Sequence, residues 1–182
     1  YKRQVHLAGR HNLANVLAAM AMADAAGFSR AAMVEAITSF RGLPHRTEWV
    51  ADIEGVTFIN DSKATNVGAC LAALNGMDRP VILIAGGDGK GADFGILREA
   101  VARKVKALVL MGRDASLMRE ALGGLVETIM VANLKSAVMV AREKATAGDV
   151  VMLAPACASL DQFKDYQERG RLFREEVGRL SS

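Results

Sequence analysis

Three short runs in this 182-residue chain, "VILIA" at 81–85, "ALVLM" at 107–111 and "VVMLA" at 150–154, are apolar at every position. A strand with one wet face alternates polar and apolar residues. A run without such alternation has both faces covered, the condition of a parallel strand between two helical layers. Around these runs, from Thr47 onward, strands and helices take turns. The order is "TEWVADI", a Glu54-Gly55 turn, "VTFIN", a helix through "VGACLAALNG", "PVILIAG", a helix near 94–103, "VKALVLMG" and a helix at about 115–122. "ETIMV", a helix over 134–147, "DVVMLAP" and a last helix from about Leu160 complete it. The pattern predicts an α/β fold with a doubly wound, mostly parallel, Rossmann-like sheet.

The first forty residues differ. "HNLANVLAAMAMADAAGF" reads as a helix over about 12–26 stopped by Gly27, and Ser29 can cap a second helix, "RAAMVEAITSF". Their small-residue faces call for a close neighbour, which predicts helices left over from a preceding domain whose sheet lies elsewhere. "RGLPHR" breaks the periodicity as a linker, so residues 1–41 are assigned to that preceding domain and 42–182 to the α/β domain. A first element that is already a helix, after a start at Tyr1, is expected of a piece of a longer polypeptide.

Half of the residues are apolar and a quarter charged, and the net charge of +3 is spread through helices and interleaved with acids. That balance gives no footprint for nucleic acid. No run approaches the roughly 20 apolar residues needed to span a bilayer, so no membrane association and a cytoplasmic setting are expected. Cys70 and Cys157 sit singly among apolar residues and read as buried thiols; no spacing resembles a zinc or other metal site.

In doubly wound sheets, ligands gather outside the carboxyl ends of the strands. Three polar loops follow strands here: "NDSKATN" at 60–66, "GGDGKGAD" at 86–93 and "PACASLD" at 155–161. The second loop lacks the first glycine and the hydroxyl residue of a P-loop. It fits the loose dinucleotide pattern Gly87-x-Gly89-x-x-Ala92, with Asp114 as a ribose acid, although Asp88 would repel a pyrophosphate. Its Lys90 is either solvated or fixes a carboxylate. In the first loop, Thr65 or Asn66 can cap the next helix and Asp61 can form an Asx turn. Asp61, Lys63 and Thr65 together present an anion, a cation and a hydroxyl to one crevice. In the third loop, Ser159 is the natural cap of the last helix, whose amides can also receive a carboxylate. No histidine follows His45 and no G-x-S-x-G surrounds Ser159, so a nucleophilic role is not expected of it. His45 and Arg46 in the linker are either interface contacts or a nucleotide contact, since a guanidinium binds phosphate bidentately. Asn12 and Asn15 share a helical face and either read an adenine edge or pack.

Taken in order, "G-x-HN-x-x-N-x-x-AA", "F-x-G-L-P-H-R", "INDSKATN", "GG-x-x-KG-x-DF" and "PACASLDQF-x-x-Y-x-x-RG-x-x-F" closely resemble the muramyl (Mur) ligases, from Leu7 to about Phe173. "NDSKATN" resembles the D-glutamate-adding members in particular. The resemblance implies the C-terminal part of a three-domain, ATP-dependent ligase of peptidoglycan precursor synthesis. In this chemistry ATP phosphorylates the carboxylate of UDP-N-acetylmuramoyl-L-alanine, and the D-glutamate amine attacks the acyl phosphate. It further implies that Lys90, Thr65, Ser159 and the Leu160 backbone hold the D-glutamate carboxylates, with Lys63 close by and the Tyr166 ring lining the pocket. Asn12 and Asn15 would face adenine, Asp61 the ribose, and His45 with Arg46 the ATP end of the cleft, so that Lys90, Arg46 and His45 form the catalytic group. ATP phosphates, Mg2+ and a carbamylated lysine would belong to upstream domains of the same polypeptide, and the 182 residues alone are expected not to ligate. Two rivals stand beside this reading: a dinucleotide-binding module, and a sister ligase with another amino-acid substrate.

Overall fold

The computed structural model describes residues 10–40 and 42–180, with only the backbone of Arg10 and His11. The parts of the predicted motifs that fall on residues 1–9 and on Arg41 lie outside the described residues. Helices α1 (Arg10–Ala25) and α2 (Arg30–Ser39) form a hairpin, and Ser29 caps α2 by accepting the Ala32 N–H at 3.2 Å. No described side chain of either helix is buried. Between them and the linker lies a cavity of about 790 Å³, lined mostly by apolar side chains such as Met20, Phe28, Met33 and Phe40.

The rest of the chain is the predicted α/β body. Its elements are β1 (Glu48–Ile53), β2 (Val56–Asn60), α3 (Val67–Asn75), β3 (Val81–Ala85), a 3₁₀ helix (Phe94–Leu97), α4 (Arg98–Lys104) and β4 (Val105–Leu110). They continue with α5 (Ala115–Leu122), β5 (Glu127–Met130), α6 (Leu134–Lys144), β6 (Val150–Leu153) and α7 (Tyr166–Arg179). The sheet order is β1-β2-β6-β3-β4-β5; β1 runs antiparallel to β2, and the other neighbours are parallel. β2, β6 and β3 are buried along their whole length, because helices cover both faces. One core forms under α3, α4 and α5 around Leu74, Leu83, Leu108 and Met118. The other forms under α6 and α7 around Phe58, Ile82, Val138 and Phe173. Cys70 and Cys157 are buried free thiols, as expected.

Three boundaries differ from the sequence expectation. The helix at 94–103 is divided: Asp93 caps the 3₁₀ turn by taking the Gly95 N–H at 2.8 Å, and α4 begins at Arg98. α6 stops at Lys144 rather than Ala147, since the Asp149 carboxylate takes both the N–H and the hydroxyl of Thr146 at 2.8 and 2.9 Å and turns the chain into β6. The last helix starts at Tyr166, six residues after Leu160. Asp165 caps it by accepting the Glu168 N–H at 2.7 Å, and the Glu168 carboxylate reaches back to the Lys164 N–H at 2.6 Å.

Candidate functional site

The helices after β2 and β3 cover one sheet face, and the helix after β6 covers the other. β6, inserted between β2 and β3, therefore makes the switch point at which an α/β sheet opens a crevice. The three polar loops leave from these three adjacent strands and are stitched together. Asp88 and Ala158 exchange backbone hydrogen bonds at 3.0 and 2.8 Å, and the Gly86 N–H donates to Pro155 at 2.9 Å. Gly86 has no alternative, because a Cβ there would lie 2.0 Å from the Met111 carbonyl oxygen at a φ of +111°.

The first and third loops are joined by Arg169. This residue of α7 is 1% exposed; its guanidinium donates to the Ser62 hydroxyl at 2.9 Å, the Ser62 carbonyl at 2.8 Å and the Cys157 carbonyl at 3.2 Å. All three acceptors are neutral, and burial pulls Arg169 down to about 10. Asn60 is the second buried polar joint. Its amide oxygen accepts the Ser62 N–H at 3.2 Å, and its amide nitrogen lies 3.0 Å from both His45 Nδ1 and Glu48 Oε2 and 3.1 Å from the Gly170 carbonyl. Both residues lie in the quoted motifs, but neither carried an assigned role there. Arg169 is one charged residue among several in its helix, and Asn60 is one amide among several.

Around this frame the candidate residues fall into three groups. Lys63, Tyr166 and His45 come together: the Lys63 ammonium sits 4.1 Å above the Tyr166 ring, and the His45 ring meets it edge-on at 6.1 Å. Asn12, Asn15 and Arg46 gather at the cavity below the helical hairpin, with Asp61 at the end of the same linker. Lys90 and Ser159 flank the paired Asp88 and Ala158. Lys90 is exposed in a left-handed turn (φ 53°), while Ser159 is buried and Leu160 projects outward. Thr65 is half-buried just before Asn66, which takes the cap of α3 through the Ala69 N–H at 2.9 Å.

Ser159 does not cap a helix. Its carbonyl, not its hydroxyl, receives the Gln162 and Phe163 amides at 3.1 and 2.8 Å, and residues 160–162 form a turn. The pairing of Ala158 with Asp88 keeps the chain extended past β6, and the Asp161 carboxylate is drawn to the Arg113 N–H at 2.8 Å.

Of the five described non-glycine residues with positive φ, four border this region: His45, Thr47, Lys90 and Ala156. Thr47 is β-branched, and such a residue is held at φ 45° only where its surroundings enforce it. The Asp61 carboxylate accepts the Thr47 N–H. Burial pushes Asp61 up to about 6, against that bond and the Arg46 charge, which both pull it down. The Cys157 thiol is pushed up to about 12, mainly by burial, and so is inert as a nucleophile.

The glycine loop does not suit a pyrophosphate. Asp114 spends its carboxylate on the Gly89 N–H at 2.7 Å, Asp88 is ion-paired with Arg113 at 3.2 Å, and Asp93 caps the 3₁₀ turn. A ribose acid and a free helix N-terminus are both missing from that arrangement. Among the described residues no group of three His, Cys, Asp or Glu side chains is placed to hold a metal, so Mg2+ is assigned to none of them.

Residues 45–157 match the family model described as "Mur ligase, glutamate ligase domain". The chain is 60% identical over 178 residues to the UDP-N-acetylmuramoylalanine–D-glutamate ligase of Methylococcus capsulatus, covering 98% of this chain and 39% of that protein. The enzyme of the same name from Pseudomonas aeruginosa is 52% identical over 98% of this chain and 41% of its own length. The chain thus spans about two fifths of the curated relatives it matches. Among solved structures, UDP-N-acetylmuramate-alanine ligase from Thermotoga maritima superposes with a TM-score of 0.70 at 19% identity, over 97% of this chain and 40% of that one. Mycobacterium tuberculosis folylpolyglutamate synthase, complexed with ADP and AMPPCP, gives 0.71 at 17% identity, over 93% and 41%. At such identities these two likenesses speak to the fold alone. Through the domain that matches residues 45–157, the chain belongs to the Mur ligase family.

Proposed function

We propose that this chain is the C-terminal portion of an ATP-dependent ligase that joins D-glutamate to UDP-N-acetylmuramoyl-L-alanine, supplying the amino-acid site and one wall of the nucleotide site. The observation that carries the reading is the meeting of three loops at one sheet edge, bearing two lysines and, beside the Ser62 hydroxyl that is bonded to Arg169 and the Tyr166 carbonyl, two further hydroxyls. D-Glutamate brings two carboxylates. Lys90 and Lys63 offer point charges, Thr65 and Ser159 offer hydroxyls, the Leu160 amide adds a backbone donor, and the Tyr166 ring holds Lys63 in place by its face. In the reading, the two carboxylates are fixed by these groups, which leaves the amine free to attack an acyl phosphate. Positioning of this kind converts a bimolecular step into an effectively unimolecular one.

The linker residues serve the other substrate. Arg46, Asn12 and Asn15 would meet the nucleotide at the hairpin cavity, with Asp61 as acceptor for a ribose hydroxyl and His45 beside it. Residues 1–41 are read as the end of a preceding ATP-binding domain. The half-exposed apolar faces of α1 and α2 support that, since they lack the sheet that would cover them. Mg2+ and the ATP phosphates are assigned to that domain, and the cytoplasm is the expected compartment.

Lys90→Ala in the full-length ligase should raise the D-glutamate KM by about tenfold or more, with the KM for ATP little changed, as loss of a charge-assisted contact does. An unchanged KM for D-glutamate would remove Lys90 from the site. Replacing D-glutamate with L-lysine, meso-diaminopimelate or L-alanine in the same assay tests the sister-ligase alternative.

A further inference from the structure

The chemistry of its neighbours fixes which way round the Asn60 side chain sits. One end of the amide faces the Glu48 carboxylate and the Gly170 carbonyl, which can only accept, so that end is the NH2 group. The other faces the Ser62 N–H, which can only donate, so that end is the oxygen. Asn60 is fully buried, and no solvent competes for these bonds. The third neighbour of the NH2 group is His45 Nδ1, at 3.0 Å. The amide nitrogen has two hydrogens for three neighbours and no lone pair to offer, so an N–H on Nδ1 would meet no acceptor there. Its other outlet, Glu48 Oε2, is 3.9 Å away and already receives the His45 backbone N–H at 2.9 Å and the Asn60 amide. Nδ1 must therefore carry the lone pair, and in the neutral ring the proton is on Nε2.

The ring has no freedom to avoid this. Its Nδ1–Cε1 edge lies on Gly170, where an added Cβ would stand 2.2 Å from Nδ1 and 2.9 Å from Cε1. Its backbone stands at φ 64°, and its ring packs near-perpendicular to that of Tyr166. Among the described residues Nε2 has no hydrogen-bond partner, and the side chain keeps 12% of its surface exposed.

From this geometry we infer that Asn60 is a positioning residue that locks His45 as the Nε2–H tautomer, so that the part-exposed side of the ring presents one hydrogen-bond donor and no base. The inference rests on the proposed ligase reading only for what the donor meets there, an anionic oxygen of the nucleotide or of the phosphorylated carboxylate. A donor aimed at developing negative charge lowers a barrier without taking up a proton.

The tautomer is read directly by long-range ¹H–¹⁵N correlation on the ¹⁵N-histidine-labelled 182-residue chain, at mildly alkaline pH where imidazole is neutral. Of the three histidines, the one lost in His45→Gln is His45. It should show a pyrrole-like Nε2 and a pyridine-like Nδ1, and a pyrrole-like Nδ1 would overturn the inference with no variant needed. Asn60→Asp replaces the NH2 with an acceptor of the same shape and should move the proton to Nδ1; retention of the Nε2–H form in a folded variant would remove Asn60 from the role. In the full-length ligase, Asn60→Asp should lower kcat on the order of 10²-fold with the D-glutamate KM nearly unchanged. His45→Gln, whose amide nitrogen can donate near the Nε2 position, should keep activity within about tenfold of wild type, whereas a base at that position would not be replaced by an amide. Loss as deep as that of His45→Ala would reject the donor role. If the unaltered ligase does not use D-glutamate at all, the proposed function fails, and the spectrum still decides the tautomer.

Discussion

Every residue of β2, β3 and β6 is buried, whereas no described side chain of α1 or α2 is, although the hairpin carries Leu17, Met20, Met22, Phe28 and Met33. Composition does not separate these regions; the presence of a partner does. In the α/β body two helical layers close on one sheet and remove its apolar surface from water. In the hairpin two helices meet along a single seam, and their remaining apolar faces border a cavity of about 790 Å³. Hydrophobic stabilisation follows the area actually covered, so the same residue types contribute a great deal in one region and little in the other. A helix pair with Ala18, Ala19, Ala23, Ala32 and Ala36 can approach a neighbour closely, yet within this chain that capacity is not used.

The largest expected effect tests this contrast. Phe58→Ala, at a fully buried site between the sheet and α7, should cost about 3–5 kcal/mol in denaturant unfolding of the body. Phe28→Ala, in the hairpin at 62% exposure, should cost less than about 0.5 kcal/mol. Comparable losses would mean that the hairpin belongs to the same cooperative unit as the sheet.

A somewhat smaller effect is expected where the two regions join. Asp61 is held near 6 in the folded chain against 3.8 for a free aspartate, so the folded state binds its proton more tightly than the unfolded state. Stability linked to this group is fully present below pH 3.8 and is lost as pH rises through about 6; the difference is on the order of 3 kcal/mol. Asp61→Asn keeps an acceptor for the Thr47 N–H and abolishes the titration. The variant should be more stable than wild type at pH 8, with a gap that closes toward pH 4. Denaturation midpoints across that range decide it, and a pH-independent gap would show that desolvation of the carboxylate is not its source.

The sequence made the body legible to the extent that its structure is local. The apolar runs announced strands covered on both faces, Glu54-Gly55 announced the turn between β1 and β2, and the rule about strand ends picked three loops that the fold brings together. What it concealed depends on distant partners. Nothing local says that β6 enters between β2 and β3. Ser159 and Asp165 are both cap-type residues, and the choice falls to Asp165 because Ala158 is paired with Asp88 and Asp161 with Arg113, contacts 70 and 48 residues apart in the chain. Arg169 shares a helix face with the buried Phe173 and Val177, but the partner that receives its guanidinium, Ser62, is 107 residues away. Most of the candidate site residues are visible as polar groups after strands or in the linker; Asn60 and Gly170 are visible as letters of the motifs, while their contacts with His45, 15 residues or more away in the chain, are not.

The smallest prediction uses a matched pair of caps. Asn66 on α3 and Ser29 on α2 each accept the amide three residues on, at 2.9 and 3.2 Å, so the local chemistry is nearly the same. Asn66→Ala should lower the unfolding free energy of the body by about 1 kcal/mol, because α3 is tied to the core through Val67, Cys70, Ala73 and Leu74. Ser29→Ala removes an equivalent bond from a helix with no buried residue. Its loss should appear as reduced helicity at 222 nm, and the body's midpoint should stay where it is, since a cap stabilises the global fold only as far as its helix is coupled to it. A shift of the body's midpoint by Ser29→Ala equal to that of Asn66→Ala would place the hairpin inside the core's cooperative unit and erase the distinction between the two regions.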